Sequence, residues 1–355
     1  MGKERLLTVE NLKVSFLTAN GEVQAVRGID FSLDRGETLA IVGESGCGKS
    51  VTVQTVMRLN PEPPAEIRGG SIRYTNGSLD VDIARLSDKE MEKLRGKEFS
   101  MIFQDAMTSL NPTTKVGKQI CEAIRKHAKV PYQEAREKAI SLLAKVGLPN
   151  PEQVFERFPH TMSGGQRQRV MIAMALSCDP AILFADEPTT ALDVTIQSQI
   201  LNLMNDLKRE ANMSIIFITH NLGVVARMAD RVAVMYAGQI IETGSLNDIF
   251  YHARHPYTWG LLGSVPQLHA QERSRLYSIP GTPPDLFAPP RGCGFAARCP
   301  YCMNVCMDHA PCSYQITEEH SANCWLLDRE CPVEVPQLVG RDQDVLKLAR
   351  TQAES

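Results

Sequence analysis

The sequence predicts an α/β fold. It has a mostly parallel core sheet, a short antiparallel pair and a mostly helical stretch ahead of its later strands, and a cysteine-rich C-terminal extension. Three observations carry this. From Ser163 to Tyr236, apolar strand-length runs alternate with helix-length segments, the pattern of a parallel sheet covered on both faces. The apolar run Thr38–Val42 leads into a glycine-rich loop that opens a helix. After His252 proline and cysteine dominate and periodicity fades.

Taken in order, Leu6–Leu17 alternates apolar and polar residues as a half-buried strand does, and Ser32–Val42 runs through an Arg35-Gly36 turn. A helix is expected from about Lys49 to Leu59, closed by Pro61, Pro63 and Pro64. Ser71–Tyr74 and Ser78–Ile83 read as an antiparallel pair across Asn76-Gly77. Ser100–Phe103 is a short strand, and residues 114–156 are mostly helical. Then follow a helix from Ser163, strand Ala181–Ala185, helix Val194–Asn212, strand Ser214–Thr219, helix Leu222–Ala229 and strand Arg231–Tyr236. Gly238–Glu242 adds a strand and Ser245–Phe250 a short helix. The expected organisation is a large domain over 1–251 and an extension over 252–355.

Composition narrows the function classes. A chain of 355 residues with 43% hydrophobic and 22% charged residues is a globular protein with ample core. A net charge of -3 excludes a bulk nucleic-acid binder, so any phosphate site is local. No apolar run reaches bilayer-spanning length and the N-terminus lacks a signal-peptide pattern, so work at a membrane is expected to depend on embedded partners.

Gly43-Glu44-Ser45-Gly46-Cys47-Gly48-Lys49-Ser50 fits the phosphate-loop pattern G-x-x-x-x-G-K-[ST]. Its glycines let successive N–H groups turn inward toward phosphate oxygens, and the following helix adds its positive end. Lys49 is suited to the β- and γ-phosphates and the Ser50 hydroxyl to Mg²⁺. The run Ile182–Ala185 ends in Asp186 and Glu187: a strand-end acid for the metal shell and one to polarise the attacking water. Alone, such a pair would be an ordinary strand end; the phosphate loop changes that reading. His220, after the strand Ser214–Thr219, is placed to sense a γ-phosphate, although a lone His is more often structural. Gln104, after Met101-Ile102-Phe103, is a candidate for the metal or the water, and on its own would mean nothing.

Met162-Ser163-Gly164-Gly165-Gln166, followed by Arg167-Gln168-Arg169, resembles the signature motif of ABC ATPases, with Met in the usual Leu position. The phosphate loop, Gln104, the signature, Asp186-Glu187, Ala191-Leu192-Asp193 and His220 stand in that family's order over residues 6–250. The resemblance implies the P-loop ABC ATPase fold, with a mostly parallel core sheet, an antiparallel β subdomain, and a helical subdomain over about 105–160 hinged at Gln104. It implies that ATP is held by Gly43, Ser45, Gly46, Gly48, Lys49, Ser50 and Val51. Phe16 would stack on adenine, the bland alternative being a core aromatic. Mg²⁺ would be shared by Ser50, Gln104 and Asp186, and Glu187, His220 and Gln104 would serve hydrolysis. It further implies a head-to-tail dimer in which Ser163, Gly164, Gly165 and Gln166 meet the partner's γ-phosphate, Asp193 couples the two sites, and the helical subdomain receives a permease helix.

His255-Pro256-Tyr257-Thr258, Pro280–Asp285, Phe158-Pro159-His160 and Met107–Pro112 are similar to the ATPases of dipeptide and oligopeptide importers, a group that also serves nickel. The implied assembly is a second, related ATPase forming a heterodimer, two transmembrane permeases and an extracytoplasmic solute-binding protein, with this subunit peripheral on the cytoplasmic side of the plasma membrane. Seven of the ten cysteines crowd residues 293–331. In this group Cys293, Cys299, Cys306 and Cys324 match positions that hold a [4Fe-4S] cluster, and four thiolates suit it. Tetrahedral zinc, suggested by Cys299-Pro300-Tyr301-Cys302, and unligated thiols are the alternatives.

Four functions compete. An importer motor accounts for every motif. A non-transport ABC ATPase would carry two ATPase domains or a long coiled-coil insertion, and an exporter motor is often fused to a membrane domain. An iron–sulfur sensor with a vestigial nucleotide site would not need intact Lys49, Asp186, Glu187 and His220.

Overall fold

The computed structural model describes residues 4–104, 109–189, 192–264 and 279–333. The chain forms two compact units, one of residues 34–37 and 86–218, the other of residues 5–33, 38–85 and from 219 onward.

In the second unit, β1 (Arg5–Thr18), β2 (Gly21–Asp34), β4 (Ala65–Asn76) and β5 (Leu79–Asp82) form an antiparallel sheet in the order β2-β1-β4-β5. Its register runs from Leu7 opposite Tyr74 to Phe16 opposite Ala65, with a bulge near Lys13. The strands are longer than their local patterns suggest. β2 starts at Gly21, not near Ser32, and β4 starts at Ala65, not Ser71. Glycines at 28, 69 and 70 interrupt the alternation a reader relies on, while the backbone ladder continues across them. The Asn76-Gly77 turn lies where expected, with Asn76 opposite Leu79 and Gly77 at φ 60°.

The same unit holds the strand β3 (Thr38–Val42), every residue of which is buried, parallel to β9 (Arg231–Tyr236). β10 (Gln239–Ser245) pairs antiparallel with β9 on the far side. Helix α1 (Lys49–Val56) follows β3; it stops three residues short of Leu59 because Arg58 takes a left-handed φ of 51°.

Residues beyond 252 continue this architecture. Helix α10 (Pro256–Gly263) was hidden from pattern reading because a short helix enclosed by core has no polar face to create a period. Tyr257, Leu262 and Phe295 share one apolar core with Val234, Tyr236 and Ile249. The two-residue strands β11 (Tyr314–Gln315) and β12 (Ser321–Ala322) extend the sheet beyond β10. Buried Glu242 anchors the junction: its carboxylate accepts from the Arg254 and His255 N–H groups at 2.6 and 3.1 Å and from His320 Nε2 at 2.9 Å.

In the first unit, β6 (Phe99–Ile102), β7 (Ile182–Asp186) and β8 (Ser214–Thr219) run parallel, with Phe99 opposite Ile182 and Ile182 opposite Ser214. The helical stretch is three helices: α3 (Val116–Ala128), α4 (Tyr132–Lys145) and α5 (Pro151–Phe155). Proline divides them, since Pro131 caps α4 and Pro151 opens α5, where a missing N–H costs nothing. α2 (Asp88–Leu94) precedes β6; α6 (Gly164–Ala175) and α7 (Val194–Ala211) flank β7 in sequence. In the second unit α8 (Leu222–Met228) and α9 (Leu246–Tyr251) complete the helices before α10, and α11 (Asn304–Asp308) follows it. Among the described residues no helix is long and apolar enough to cross a membrane.

Candidate functional site

The phosphate loop joins β3 to α1. Two of its glycines are required by close backbone approach. A Cβ on Gly43 would lie 2.1 Å from the Met235 carbonyl oxygen, and one on Gly48, at φ 104°, would lie 2.4 Å from that of Ala25. A loop this tightly seated presents its N–H groups in a set curl. Lys49 is buried, and its Nζ donates to the Gly43 and Glu44 carbonyls at 2.8 and 2.9 Å, so the ammonium is drawn into the loop. Ser50 and Val51 open the first turn of α1, while Ser45 and Gly46 lie at the exposed crest. Cys47 is buried beneath; burial pushes its thiol up, against the pull of Lys49. Phe16 lies half-buried on β1. His220 is exposed immediately after Thr219, whose hydroxyl accepts from the Asn221 N–H at 3.0 Å.

In the other unit, β7 ends in Asp186, which is 4% exposed. Glu187 follows at φ 45°, a left-handed angle that non-glycine residues seldom adopt, and its N–H is held by the Ile218 carbonyl at 2.9 Å. This turn ends the ladder and re-aims the carboxylate. Gln104, two residues beyond β6, donates from Nε2 to Glu187 Oε2 at 3.2 Å. The structure thus brings together two of the residues expected to handle the attacking water. Asp105–Thr108, with the start of the Met107–Pro112 motif, lies outside the described residues, as do Thr190 and Ala191.

Ser163 is the N-cap of α6. Its hydroxyl accepts from the Gln166 N–H at 3.3 Å and the Gln166 side chain returns a bond to the Ser163 N–H at 3.2 Å, a complete capping box. A Cβ on Gly164 would meet nothing within 4 Å, whereas one on Gly165 would press on Ile196 at 3.0 Å. The open glycine leaves the helix N-terminus accessible to an anion. Asp193 caps α7 through the Ile196 N–H at 2.9 Å.

The cysteine region is in the unit that holds the phosphate loop. All ten thiols are free. The Cys293 N–H donates to the Cys306 carbonyl at 2.8 Å, and the missing side chain of Gly292 permits that approach. Burial, reinforced by the neighbouring thiols, pushes Cys293 up and Cys299 and Cys324 up to about 12. The thiols acting on Cys324 are those of Cys293, Cys299 and Cys306. Cys302 also acts on Cys293 and Cys299, so five thiols neighbour one another, and sulfur of this kind is the donor that a thiolate-bound cluster uses. Among the described residues, however, no group of three or more His, Cys, Asp or Glu side chains is drawn together closely enough to hold a metal ion. The electrostatic neighbourhood and the coordination distances therefore disagree. As they stand, the described cysteines are not gathered as ligands of a metal of either kind.

Sequence reading missed the groups that hold the phosphate loop from outside. The Glu44 N–H donates to the Tyr257 hydroxyl at 2.9 Å, and the Glu44 carboxylate is paired with Arg298 at 2.7 Å. Tyr257 stood in a recognised motif without a role, and nothing local marks Arg298.

The ABC transporter family profile matches residues 26–190, and that of the oligopeptide/dipeptide transporter C-terminal region matches residues 241–306. The chain is 56% identical over 348 residues to the oligopeptide transport ATP-binding protein OppD of Bacillus subtilis, covering 98% of this chain and 96% of that one. It is 56% identical over 326 residues to the dipeptide transport ATP-binding protein DppD of the same organism, covering 92% and 96%. Among solved structures, the dimeric ATP-binding cassette MJ0796 bound to ADP and Pi aligns with a TM-score of 0.60 at 25% identity, covering 68% of this chain and 98% of that one.

Proposed function

The chain belongs to the ABC transporter family, in its oligopeptide/dipeptide transporter group, and from that premise we infer that it is the ATP-hydrolysing motor of a peptide importer. The match to the oligopeptide/dipeptide C-terminal region and the peptide-transport relatives favour peptide over nickel as the solute. The single observation that best supports the hydrolytic reading is the carboxylate of Glu187, turned out of β7 by its left-handed backbone and held by Gln104.

In the proposed reaction the phosphate loop, from Gly43 to Val51, binds the triphosphate through its N–H groups, with Lys49 on the β- and γ-phosphates. Phe16 stacks on the adenine. Ser50, Gln104 and Asp186 are the residues that would hold Mg²⁺, which when bound neutralises charge on the phosphate oxygens. Glu187 orients the attacking water and takes its proton, and Gln104 keeps that carboxylate aimed. His220 senses the γ-phosphate. Ser163, Gly164, Gly165 and Gln166 offer the α6 N-terminus to nucleotide on a second subunit, a related but different ATPase, so that ATP closes the dimer and hydrolysis reopens it. The motor works on the cytoplasmic side of the plasma membrane with two permeases and an extracytoplasmic binding protein.

We extend the proposal to the extension. Cys293, Cys299, Cys306 and Cys324 would hold a [4Fe-4S] cluster in a structural role. The influence of Cys293, Cys299 and Cys306 on Cys324 is the observation that supports it. Protein purified anaerobically should carry iron and acid-labile sulfide. Zinc in their place would select the tetrahedral alternative, and the absence of all three would reject a metal site.

The function is tested by uptake of labelled dipeptide, longer peptide and nickel in cells carrying Glu187→Gln. Selective loss of peptide uptake is expected. Loss of nickel uptake alone would overturn the solute.

A further inference from the structure

Arg298 closes a single 3-10 turn, Ala296–Arg298, immediately before Cys299. Its side chain is 6% exposed and every guanidinium nitrogen is used. Nη1 donates to Glu44 Oε2 at 2.7 Å and to the Tyr236 hydroxyl at 3.1 Å. Nη2 donates to Glu44 Oε1 at 3.1 Å and to the Ile279 carbonyl at 3.3 Å, and Nε donates to the Pro280 carbonyl at 2.8 Å. The pair is the bidentate fork–fork geometry that gives a carboxylate both charge and direction.

Its partner is the second residue of the phosphate loop, and Glu44 is held at three points. Its carboxylate lies in the Arg298 fork, its N–H on the Tyr257 hydroxyl at 2.9 Å and its carbonyl on Lys49 Nζ at 2.9 Å. The last contact matters most, because the phosphate-binding ammonium and the extension grip the same residue. There is also an electrostatic consequence. A bare carboxylate in a loop built to attract a polyanion would oppose it at short range, where charges act strongly. Pairing with a buried guanidinium cancels that charge and stops the carboxylate from competing for Lys49.

We propose that Arg298, together with the Tyr257 hydroxyl, is a positioning residue of the ATP site: the C-terminal extension braces the phosphate loop through Glu44 and neutralises its carboxylate, setting affinity for the nucleotide's phosphates. The extension is thereby part of the nucleotide site, not only an appendage to it. This inference rests on the reading that ATP binds in the loop.

The test is equilibrium binding of Mg-ATP, Mg-ADP and AMP to the full-length chain, comparing the unaltered protein, Arg298→Gln, Glu44→Gln and the double variant. Arg298→Gln is expected to weaken ATP binding roughly tenfold, with the loss growing from AMP to ATP and shrinking as salt is raised. Adding Glu44→Gln should restore affinity to within about twofold of Glu44→Gln alone, because the uncancelled charge is then gone. A merely structural strut would not be rescued in this way. If Arg298→Gln shows no cooperative melt, Arg298→Ala is compared with Arg298→Ala/Glu44→Gln at low temperature on the same criterion, and failure of the second change to raise affinity overturns the inference. ATP affinity unchanged in Arg298→Gln, or equal losses for AMP and ATP, also overturns it. Failure of the unaltered chain to bind Mg-ATP would instead overturn the ATP-site reading.

Discussion

Glu187 holds a backbone angle, φ 45°, that costs a non-glycine residue about 1–3 kcal/mol and persists only where surrounding contacts impose it. Here the contacts are the 2.9 Å bond from its N–H to Ile218 and the 3.2 Å bond from Gln104 to its carboxylate. Strain of this kind, at a strand end beside a buried Asp186, is consistent with the role proposed for Glu187 as the base. Glu187→Gln preserves shape and removes the proposed base. Single-turnover ATPase of the assembled complex should fall on the order of 10²–10⁴-fold while Mg-ATP binding persists. Turnover within a factor of about three of the unaltered complex would remove Glu187 from the base role. Gln104→Ala removes this one bond and keeps the carboxylate, so a smaller loss is expected, about tenfold, visible as slower chemistry with nucleotide affinity retained.

At the scale of the element, α6 lets the capping role of one residue be separated from the binding role proposed for it. Ser163 caps the helix, and its replacement by Ala should cost about 1 kcal/mol in thermal unfolding. Asp is as good a cap as Ser but brings a negative charge to the end that would face a phosphate. Ser163→Asp should therefore melt like the unaltered protein and lose ATP-driven dimerisation, measured by sedimentation with the Glu187→Gln background present. An unaffected dimer would separate the signature from phosphate binding. Elements of this kind were legible in the sequence where their signal is local. The strand β8 has the expected bounds, and the serine, glycines and glutamine of the signature announce a helix start. The elements misjudged lack a local signal. β2 and β4 cross glycines that a half-buried strand should avoid, and α10 is enclosed by core, so its apolar residues show no period.

At the scale of the whole molecule, the enclosed segment around α10 makes folding sensitive to acid. His255 accepts the Tyr257 N–H on Nδ1 at 3.0 Å, and full burial lowers its pKa from 6.5 to about 3. Between those values the unfolded chain binds a proton that the folded chain refuses. Stability therefore rises with pH across that window and falls as pH drops from about 6.5 toward 3, by up to about 1.4 kcal/mol per pH unit from this group. His255→Asn keeps a cap acceptor without a titrating ring. Unfolding in urea at pH 7 and pH 5 should show a smaller loss for the variant than for the unaltered chain; equal losses would place the acid sensitivity elsewhere. The residues that declare the chemistry are contiguous. The phosphate loop, the signature and the Asp186-Glu187 pair each lie within eight positions, because a curled loop or a strand end is made by neighbours in the chain, and so the sequence by itself determined the ATPase. The contacts that aim and brace those residues join distant positions: Gln104 reaches Glu187 across 83 residues, and Arg298 reaches Glu44 across 254. Nothing in the local chemistry of an arginine before a cysteine, or of a tyrosine in a short apolar helix, specifies a partner so far away. Only the packing of Phe295, Tyr257 and Tyr236 into one core brings the extension against the loop, and so only the tertiary structure decided what holds the nucleotide site in shape.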